Sequence, residues 1–353
     1  MALPGRAVQE RMMRRCLQLA LNGSSGAAPN PMVGAVLAVN DHVIAEGWHM
    51  QRGGPHAEVN CLGSFGDGAV PVDAVLYVNL EPCAHFGATP PCVDLLIARG
   101  VQHLVVGNVD PDPRTHGKGI ERARAHGIHV EVGMLHDECR WLNRRFITSV
   151  EKQRPYIVLK WAQSADGSID NGPTNGRSVH RISSPATDVL VHQWRAEEQA
   201  ILVGSRTVLH DDPSLSVRLV DGRAPLRVVI DRSGIIPSRS TVFTDGGATL
   251  LFTSRLRDGV ACEQVIIGET ADPIGAVMNE LHRRGIRSIL VEGGAELHQR
   301  FIDRALWDEV RVITSSLNTA SGTAAPCFPR KAQRTTKSGT DTIAWHSASH
   351  AGH

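Results

Sequence analysis

The sequence predicts an α/β fold in two domains, and three observations support this prediction. The chain has 353 residues, a length that suits two or three ordinary domains. Short apolar runs alternate with helix-compatible segments through both halves, a pattern typical of sheets covered by helices. A polar stretch, Glu151–Pro155, interrupts this alternation and is the best linker candidate. We therefore expect one domain over residues 1–150 and a second over residues 151–353.

The first half is predicted to start with an amphipathic helix within Met1–Ala20, because its apolar residues recur at helical spacing. A hairpin follows, since the turn signal Asn40-Asp41 separates Val33–Val39 from His42–Ala45. This order, a hairpin followed by helices and strands in alternation, predicts a largely parallel sheet with helices on both faces. The remaining strands are expected at Val75–Val78, Leu104–Gly107 and His129–Val132, and the helices from near His56, at Val93–Arg99, at Gly119–His126 and from Asp137 to about Phe146.

The second half repeats the alternation and is expected to have its own core. Tyr156–Leu159 is strand-like, and a helix over Ala186–Arg195 is opened by Ser184 as N-cap and Pro185 at the first helical position. The polar tail after about Asn318 shows no pattern that predicts an element. Further strands are predicted at Ile201–Val203, Arg227–Ile230, Thr249–Phe252, Val265–Ile267, Ser288–Val291 and Val310–Ile313, with a helix over Asp272–Arg284.

The composition excludes several classes of function. With 37 basic and 36 acidic side chains, the net charge of +1 argues against a broad basic face for nucleic acid and against a polybasic membrane surface. No apolar run approaches the ~18–20 residues of a membrane helix. Seven cysteines, an odd number, do not form a disulfide framework, so we expect reduced thiols and a cytoplasmic location.

The strongest chemical signal is His56-Ala57-Glu58 followed by Pro82-Cys83 and then Cys92. One imidazole and two thiolates supply three zinc ligands and leave the fourth position for water, whose pKa zinc lowers from ~15.7 to roughly 7. Glu58 is too close to His56 in sequence to be a typical fourth ligand, but it can accept the water proton and pass it to a leaving nitrogen. This pattern is the signature of zinc deaminases, although eight residues separate the cysteines instead of two.

Two structural interpretations of the same residues stay open. His56 could be a buried core histidine beside unrelated cysteines, since a single His-x-Glu is common among 17 histidines. Alternatively, a closed structural zinc site would need a fourth ligand, for which Cys61 and His85 are candidates. The joint pattern, in which each ligand adjoins a predicted element, favours a catalytic zinc site.

Four segments in this order resemble the bifunctional riboflavin-biosynthesis deaminase/reductase family: Pro29–Gly34, Gly47–His49, His56–Glu58 and Glu81–Cys92. The long cysteine spacing is that family's own variant. The resemblance covers nearly the whole chain and fades after about Ala320. It implies an N-terminal cytidine-deaminase-like three-layer αβα domain and a C-terminal dihydrofolate-reductase-like α/β domain.

The resemblance also implies two consecutive steps of riboflavin synthesis. The first is deamination of the diaminopyrimidinone ribosylamine phosphate by zinc-activated hydroxide, and the second is reduction of the ribosyl group to a ribityl chain by NADPH. The expected cofactors are Zn²⁺ and NADPH, the expected partner is a small phosphorylated pyrimidine, and the expected assembly is a homo-oligomer without nucleic acid or membrane. Two alternatives are a zinc-dependent nucleotide deaminase with a redox-silent C-terminal domain and a zinc-stabilised binding protein.

In the first domain, the resemblance implies zinc on His56, Cys83 and Cys92, with Glu58 as proton carrier. One position departs from the family. Ala88 stands where the family usually has Lys or Arg, which predicts weak binding of a phosphorylated substrate unless another base such as Arg52 or Arg114 substitutes. The substrate contacts that the resemblance implies here are Asn30, His49 and Asp110.

In the second domain, the residues alone show no G-x-G-x-x-G motif, but Val291–Gly294 ends a strand and opens a helix, where backbone amides can approach a phosphate. The family's Ser-x-Trp stretch is replaced here by Val179–Arg181, so its cofactor contacts are not carried over. The resemblance implies cofactor contacts at Ala162, Thr207, Asp211 and Gly294, and substrate contacts at Lys160, Arg195, Leu215, Arg218 and Glu292.

Overall fold

The computed structural model describes residues 3–87, 90–170, 181–268, 270–319 and 322–348. The chain divides into two compact units, Met1–Lys152 and Gln153–His353. Each unit has its own sheet and its own hydrophobic core. Both are therefore α/β units, as the alternation of patterns predicts. Ala88, Val179 and His180, which the sequence singles out, lie outside the described residues.

The first unit contains a five-stranded sheet in the order β2-β1-β3-β4-β5. The pairings of β1 with β2 and with β3 are antiparallel, whereas β3, β4 and β5 are parallel. The expectation of a largely parallel sheet is thus only half right. Because β3 runs in the same direction as β2, it lies antiparallel to β1, its neighbour in the sheet. The strands are β1 (Gly34–Val39), β2 (His42–Trp48), β3 (Ala74–Val78), β4 (His103–Val106) and β5 (His129–Val132).

Helices cover both faces of this sheet. Leu37 of β1 packs with Leu62, Leu96 and Ile120 on one face. On the other face, Tyr77 packs with Met13 of the first helix and with Cys139. Alternate residues of each strand thus enter two different cores, which gives the predicted three-layer αβα arrangement. The helices are α1 (Arg6–Leu21), α2 (Ala57–Phe65), α3 (Cys92–Ala98), α4 (Lys118–Ala125), α5 (His136–Leu142) and α6 (Arg144–Lys152).

The predicted helix from Asp137 to about Phe146 is instead two helices, α5 and α6, that meet at Asn143. The Asn143 side chain accepts a hydrogen bond from Met32 N at 2.8 Å and donates one to Met32 O at 2.9 Å. Both contacts tie this junction to the segment that precedes β1. Helix α6 then extends to Lys152, so the first two residues of the predicted linker are helical.

The second unit contains a nine-stranded sheet in the order β10-β9-β8-β7-β11-β6-β12-β14-β13. The strands from β10 to β12 are mutually parallel, and β14 and β13 complete the sheet as antiparallel neighbours. These last two strands form from the tail that the sequence left unassigned. The strands are β6 (Tyr156–Gln163), β7 (Ala200–Gly204), β8 (Leu226–Ile230), β9 (Thr249–Thr253), β10 (Glu263–Ile266), β11 (Ser288–Val291), β12 (Glu309–Thr314), β13 (Arg334–Ser338) and β14 (Asp341–Ser347).

Helices again cover both faces. Helices α10 and α11 pack through Val277 and Phe301 onto one face, and α7 packs through Trp194 onto the other. Ser184 and Pro185 occupy the N-cap and first position of α7, as predicted. None of the described helices is long and apolar enough to cross a lipid bilayer. The helices are α7 (Pro185–Glu197), α8 (Ser205–Asp211), α9 (Thr241–Thr244), α10 (Pro273–Arg283) and α11 (Ala295–Asp303).

Candidate active sites

The first candidate site is a cluster of one histidine and two cysteines in the first unit. His56 is the N-cap of α2, Cys83 lies in the loop that follows β3, and Cys92 is the first residue of α3. His56 Nδ1 lies 3.2 Å from Cys92 Sγ and 3.5 Å from Cys83 Sγ. The three ligand atoms lie within 4.8 Å of one another. The fold thus brings together the three ligands that the sequence predicts.

The donor set fits zinc. Cys83 Sγ accepts a hydrogen bond from the backbone N–H of Cys92 at 3.2 Å, at the start of α3. The hydrogen bond from the Cys92 side chain, and further bonds from His56 and this amide, lower the pKa of Cys83 to about 4, against the opposing effect of burial. A thiolate is the form that binds metal, and imidazole with thiolates is a typical zinc ligand set.

Neither candidate for a fourth protein ligand joins this cluster. Among the described residues, the group that could hold a metal consists of His56, Cys83 and Cys92 alone. The Cys61 thiol is buried in the core, and burial raises its pKa to about 12. The His85 ring is hydrogen-bonded through Nδ1 to Thr115 Oγ1 at 3.3 Å. Three ligands and a position for water are typical of a catalytic rather than a structural zinc site.

Glu58 lies on the first turn of α2, two residues after His56, and its side chain is buried. Burial, and then the neighbouring Cys83, raise the pKa of Glu58 to about 7. A carboxyl group with a pKa near neutrality can both accept and release a proton at physiological pH. This is the property that a proton carrier beside the metal needs.

Asn30 and His49, predicted to contact substrate, form a hydrogen-bonded pair beside the metal ligands. The His49 ring donates from Nδ1 to Pro55 O at 3.0 Å, so its Nε2 accepts from Asn30 Nδ2 at 3.2 Å. The rings of His49 and His56 meet edge to face with centroids 5.4 Å apart. Burial lowers the pKa of His49, which favours this neutral form. His49 engages one N–H of the Asn30 amide, so the amide oxygen and the second N–H can contact a ligand.

Asp110 is held near this site by Glu81, a residue for which the sequence suggested no role of its own. The buried Glu81 carboxylate accepts hydrogen bonds from the backbone N–H groups of Asp110, Gly117, Gly119 and Ile120, at 2.9–3.2 Å. It therefore joins the loop before Cys83 to the N-terminus of α4. Burial raises the pKa of Asp110 to about 7. Its place directly before Pro82-Cys83 is the one signal that could have drawn attention to Glu81.

The two bases considered as substitutes for a basic residue at position 88 differ in their surroundings. The Arg114 guanidinium is paired with the Asp112 carboxylate, with Nη2 to Oδ2 at 2.6 Å and Nε to Oδ1 at 3.0 Å. Arg114 is thus engaged by a carboxylate of its own loop. Arg52 lies on an exposed turn.

The second candidate site is a basic pocket of about 140 Å³ in the second unit. Four cationic side chains and one carboxylate line it, so it is suited to an anion. Three of the predicted substrate contacts, Lys160, Arg195 and Arg218, belong to this lining. The residues that line the pocket are Lys160, Arg181, Ser183, Asp188, Val191, His192, Arg195 and Arg218.

Glu292 holds two of these cations in place. Its carboxylate accepts hydrogen bonds from Arg195 Nε and Nη2 at 2.8 Å each and from Lys160 Nζ at 3.4 Å. Burial alone would raise the pKa of Glu292, but Arg195 and Lys160 together hold it at about 2. Glu292 thus acts from behind the pocket lining, and it fixes the direction of the Arg195 guanidinium.

Leu215, another predicted substrate contact, is placed differently. Its side chain is 3 % exposed and packs in the core with Val203 and Val208. Its backbone lies in the left-handed region, with φ of 53°. The side chain is absent from the described pocket lining, so Leu215 anchors the loop that leads to Arg218.

The predicted cofactor contacts follow neighbouring strands of the sheet. Ala162 lies near the carboxyl end of β6, Thr207 and Asp211 lie on α8 directly after β7, and Gly294 is the N-cap of α11 after β11. Strand β11 lies between β6 and β7 and is parallel to both, so these residues share the edge where ligands of open α/β sheets bind.

The entrance to α11 is open enough for a phosphate group. A Cβ added at Gly294 would have Thr207 Oγ1 as its neighbour within 4 Å, at 3.9 Å. The unpaired amides of a helix N-terminus beside a hydroxyl group form a site that fits a nucleotide phosphate. On this observation the residues fit a dinucleotide cofactor.

A buried carboxylate beside one imidazole and two cysteine sulfurs defines the first unit as a zinc-dependent deaminase domain. The second unit is an α/β domain with an anion pocket and a phosphate-compatible helix N-terminus. The family model of the cytidine and deoxycytidylate deaminase zinc-binding region matches residues 6–108, and that of the RibD C-terminal domain matches residues 155–337. The chain belongs to the RibD family of riboflavin biosynthesis proteins.

Two kinds of relative support this assignment. The riboflavin biosynthesis protein RibD of Aquifex aeolicus is 37 % identical over 317 residues, which cover 87 % of this chain and 86 % of the relative. The crystal structure of a diaminohydroxyphosphoribosylaminopyrimidine deaminase/5-amino-6-(5-phosphoribosylamino)uracil reductase from Thermotoga maritima is 34 % identical, with a TM-score of 0.84 over 96 % of this chain and 98 % of that chain. Acinetobacter baumannii RibD is 29 % identical, with a TM-score of 0.85 over 97 % and 99 %.

The family resemblance predicted from the sequence is therefore confirmed, as are the fold class and the two enzymatic activities. The chain is a bifunctional deaminase and reductase of riboflavin biosynthesis, and its two domains imply Zn²⁺ and NADPH as cofactors. A deaminase with a redox-silent second domain is not favoured, because the RibD C-terminal domain model matches most of the second unit.

Proposed function

We propose that residues 1–150 deaminate the pyrimidinone ring of diaminohydroxyphosphoribosylaminopyrimidine and that residues 151–353 reduce the product, 5-amino-6-(5-phosphoribosylamino)uracil. The observation that carries the first assignment is the His56, Cys83 and Cys92 cluster, with the buried Glu58 close by. These are the reactions named for the Thermotoga maritima relative.

In the deaminase, His56, Cys83 and Cys92 would hold zinc, which when bound makes water acidic enough to supply a nucleophile at neutral pH. Glu58 accepts a proton from the attacking water and delivers it to the departing amino group. Its burial and its pKa of about 7 support this role, since both protonation states are accessible. The product leaves with a carbonyl in place of the amine, and ammonia is released.

Asn30, His49 and Asp110 hold the pyrimidinone ring in the deaminase. The fixed tautomer of His49 leaves the Asn30 side-chain oxygen to accept from a ring amino group. Asp110 is kept in reach by the bond from its own backbone N–H to Glu81. A raised pKa of about 7 lets the Asp110 carboxyl group donate or accept a hydrogen bond at physiological pH.

In the reductase, Ala162, Thr207, Asp211 and Gly294 would hold NADPH along the carboxyl edge of the sheet, where the cofactor would supply the hydride. The substrate's ribose phosphate enters the basic pocket, where guanidinium groups can bind phosphate oxygens in pairs. The residues that bind this substrate are Lys160, Arg195, Leu215, Arg218 and Glu292. Of these, Leu215 and Glu292 act by fixing the loop and the cations that face the phosphate.

The protein works as a homo-oligomer in the cytoplasm under this proposal. All seven cysteines lie in the described part of the chain and none of them forms a disulfide, which supports a reducing compartment. Size-exclusion chromatography with light scattering would measure the assembly.

One assay tests both half-reactions. The diaminopyrimidinone nucleotide is supplied with NADPH, and ammonia release and NADPH oxidation are followed together. A metal chelator should abolish ammonia release and leave NADPH oxidation intact when the deaminated substrate is supplied directly, and added Zn²⁺ should restore deamination. Equal loss of both activities on chelation would contradict two independent sites.

A further inference from the structure

His192 lies in the wall of the basic pocket, on helix α7 and one turn before Arg195. Its side chain is 3 % exposed, so its contacts within the protein dominate its role. We propose that His192 is a positioning residue that sets Arg218 in the pocket and so determines the reductase's affinity for the phosphorylated substrate. This inference rests on the proposed function of the pocket.

The key contact joins His192 to the backbone of the residue that it positions. The Arg218 backbone N–H donates to His192 Nδ1 at 3.1 Å. Two residues earlier in the same loop, Ser216 O accepts from Arg195 Nη1 at 3.2 Å. Helix α7 therefore accepts one hydrogen bond from this loop, through His192, and donates one to it, through Arg195.

The other side of the loop is fixed by packing. The side chain of Leu215 is buried in the core, and Ser214 O accepts from the buried Arg227 Nη1 at 3.1 Å. The loop is thus anchored before Ser216, and the bond to His192 fixes the backbone of Arg218 itself. Without this bond, the backbone from which the Arg218 side chain projects would no longer be held in place.

The contact needs the neutral imidazole, because only an unprotonated Nδ1 can accept. The charged groups that act on this ring are the cations Arg195 and Arg218 and the anions Glu292 and Asp188. Burial and the two cations lower the pKa of His192 below its usual 6.5 despite the two anions. At neutral pH the ring is therefore an acceptor at Nδ1 and carries its proton on Nε2.

Two substitutions distinguish the roles of the two ring nitrogens of His192. His192→Asn keeps a polar group near the place of Nδ1 and can still accept from Arg218, whereas His192→Gln keeps one near the place of Nε2 and cannot. Loss of an acceptor for a buried N–H corresponds to roughly a tenfold change in binding. We expect His192→Gln to raise the KM for 5-amino-6-(5-phosphoribosylamino)uracil about tenfold with little change in kcat, and His192→Asn to stay within about threefold of the wild-type KM.

The pH dependence gives a readout that a purely structural role would not move. As the pH falls below the pKa of His192, the wild-type KM should rise more steeply than that of His192→Asn, because protonation removes the Nδ1 acceptor. Since the substrate phosphate titrates equally in both proteins, the ratio of the two KM values isolates the histidine. Ammonia release should be the same in all variants, and a nearly unchanged kcat for NADPH oxidation serves as the control for folding of the reductase unit.

The outcomes distinguish this inference from the proposed function. Arg218→Ala is the reference variant, and an unchanged KM in it would show that the pocket does not bind the substrate phosphate. If Arg218→Ala raises KM but His192→Gln does not, the positioning role of His192 is wrong. It is also wrong if His192→Asn and His192→Gln raise KM equally, or if the wild-type and His192→Asn pH profiles coincide.

Discussion

Replacing Gly119 with alanine should disable the deaminase and leave the reductase intact. Gly119 is the second residue of α4, and a Cβ on it would overlap the carbonyl oxygen of Pro82 and lie 3.3 Å from Glu81 Oε1. Real Cβ atoms stay at least 3.0 Å from such an oxygen, so one of the two segments must move by about 1 Å. Because Pro82 directly precedes Cys83, the movement reaches a metal ligand.

The expected magnitude follows from this displacement. Overpacking of a well-packed site costs about 1–3 kcal/mol, which should appear as a lower free energy of unfolding of the first unit. A shift of ~1 Å in groups that position a reaction costs about 100-fold in rate. We therefore expect Gly119→Ala to lose zinc more readily and to release ammonia about 100-fold more slowly.

The assay measures ammonia release, zinc content and NADPH oxidation on the deaminated substrate in the same preparation. Gly63→Ala is the matched control, because Gly63 lies in helix α2 with open space around its Cβ position. That variant should gain about 0.5–1 kcal/mol of stability and keep both activities. A Gly119→Ala protein with wild-type zinc content and wild-type deamination would refute the argument that this close approach positions Cys83.

Three further predictions concern single side chains. Glu58→Gln should retain zinc but lower the kcat of ammonia release about 10²–10⁴-fold, as measured by ammonia release and metal analysis, because the amide cannot carry a proton. The pKa of Glu292 is held at about 2 instead of 4.5, so Glu292 contributes about 3 kcal/mol of stability above pH 4.5 that is lost as the pH falls toward 2. The free energy of unfolding of Glu292→Gln, measured with denaturant, should therefore be lower than that of the wild type by about this amount at pH 7. The difference should shrink below pH 4.5. Ala88→Lys should lower the KM of the deaminase for its phosphorylated substrate, and an unchanged or higher KM would contradict that expectation.

The metal cluster could be predicted from the sequence because its chemistry is local. His56 and Cys92 open helices, Cys83 follows a strand, and Glu58 is two residues from a ligand, so local patterns place each of the four beside the end of a predicted element. The geometry around them depends on distant parts of the chain. The Glu81 carboxylate binds amides 29–39 residues away, which no local pattern encodes.

The same distinction explains where the fold was harder to predict. The break between α5 and α6 occurs at Asn143, whose partner Met32 lies 111 residues earlier. Strands β13 and β14 consist mainly of polar and small residues, and β14 buries side chains such as Ile343 only because β12 lies beside it. Patterns within a segment thus predict helices and inner strands, whereas junctions and peripheral strands are determined by contacts between segments.

The β13–β14 hairpin makes the far end of the chain part of the scaffold of the reductase pocket. Asp341 Oδ2 accepts from Ser184 N at 2.7 Å and Ser338 O accepts from Thr187 Oγ1 at 3.1 Å, so the hairpin turn holds the first turn of α7. Shortening the chain into this hairpin would free the helix that carries Arg195 and would bare the edge of β12 to pairing with other molecules. Protein engineers who shorten or fuse this enzyme should therefore keep residues 334–347 intact.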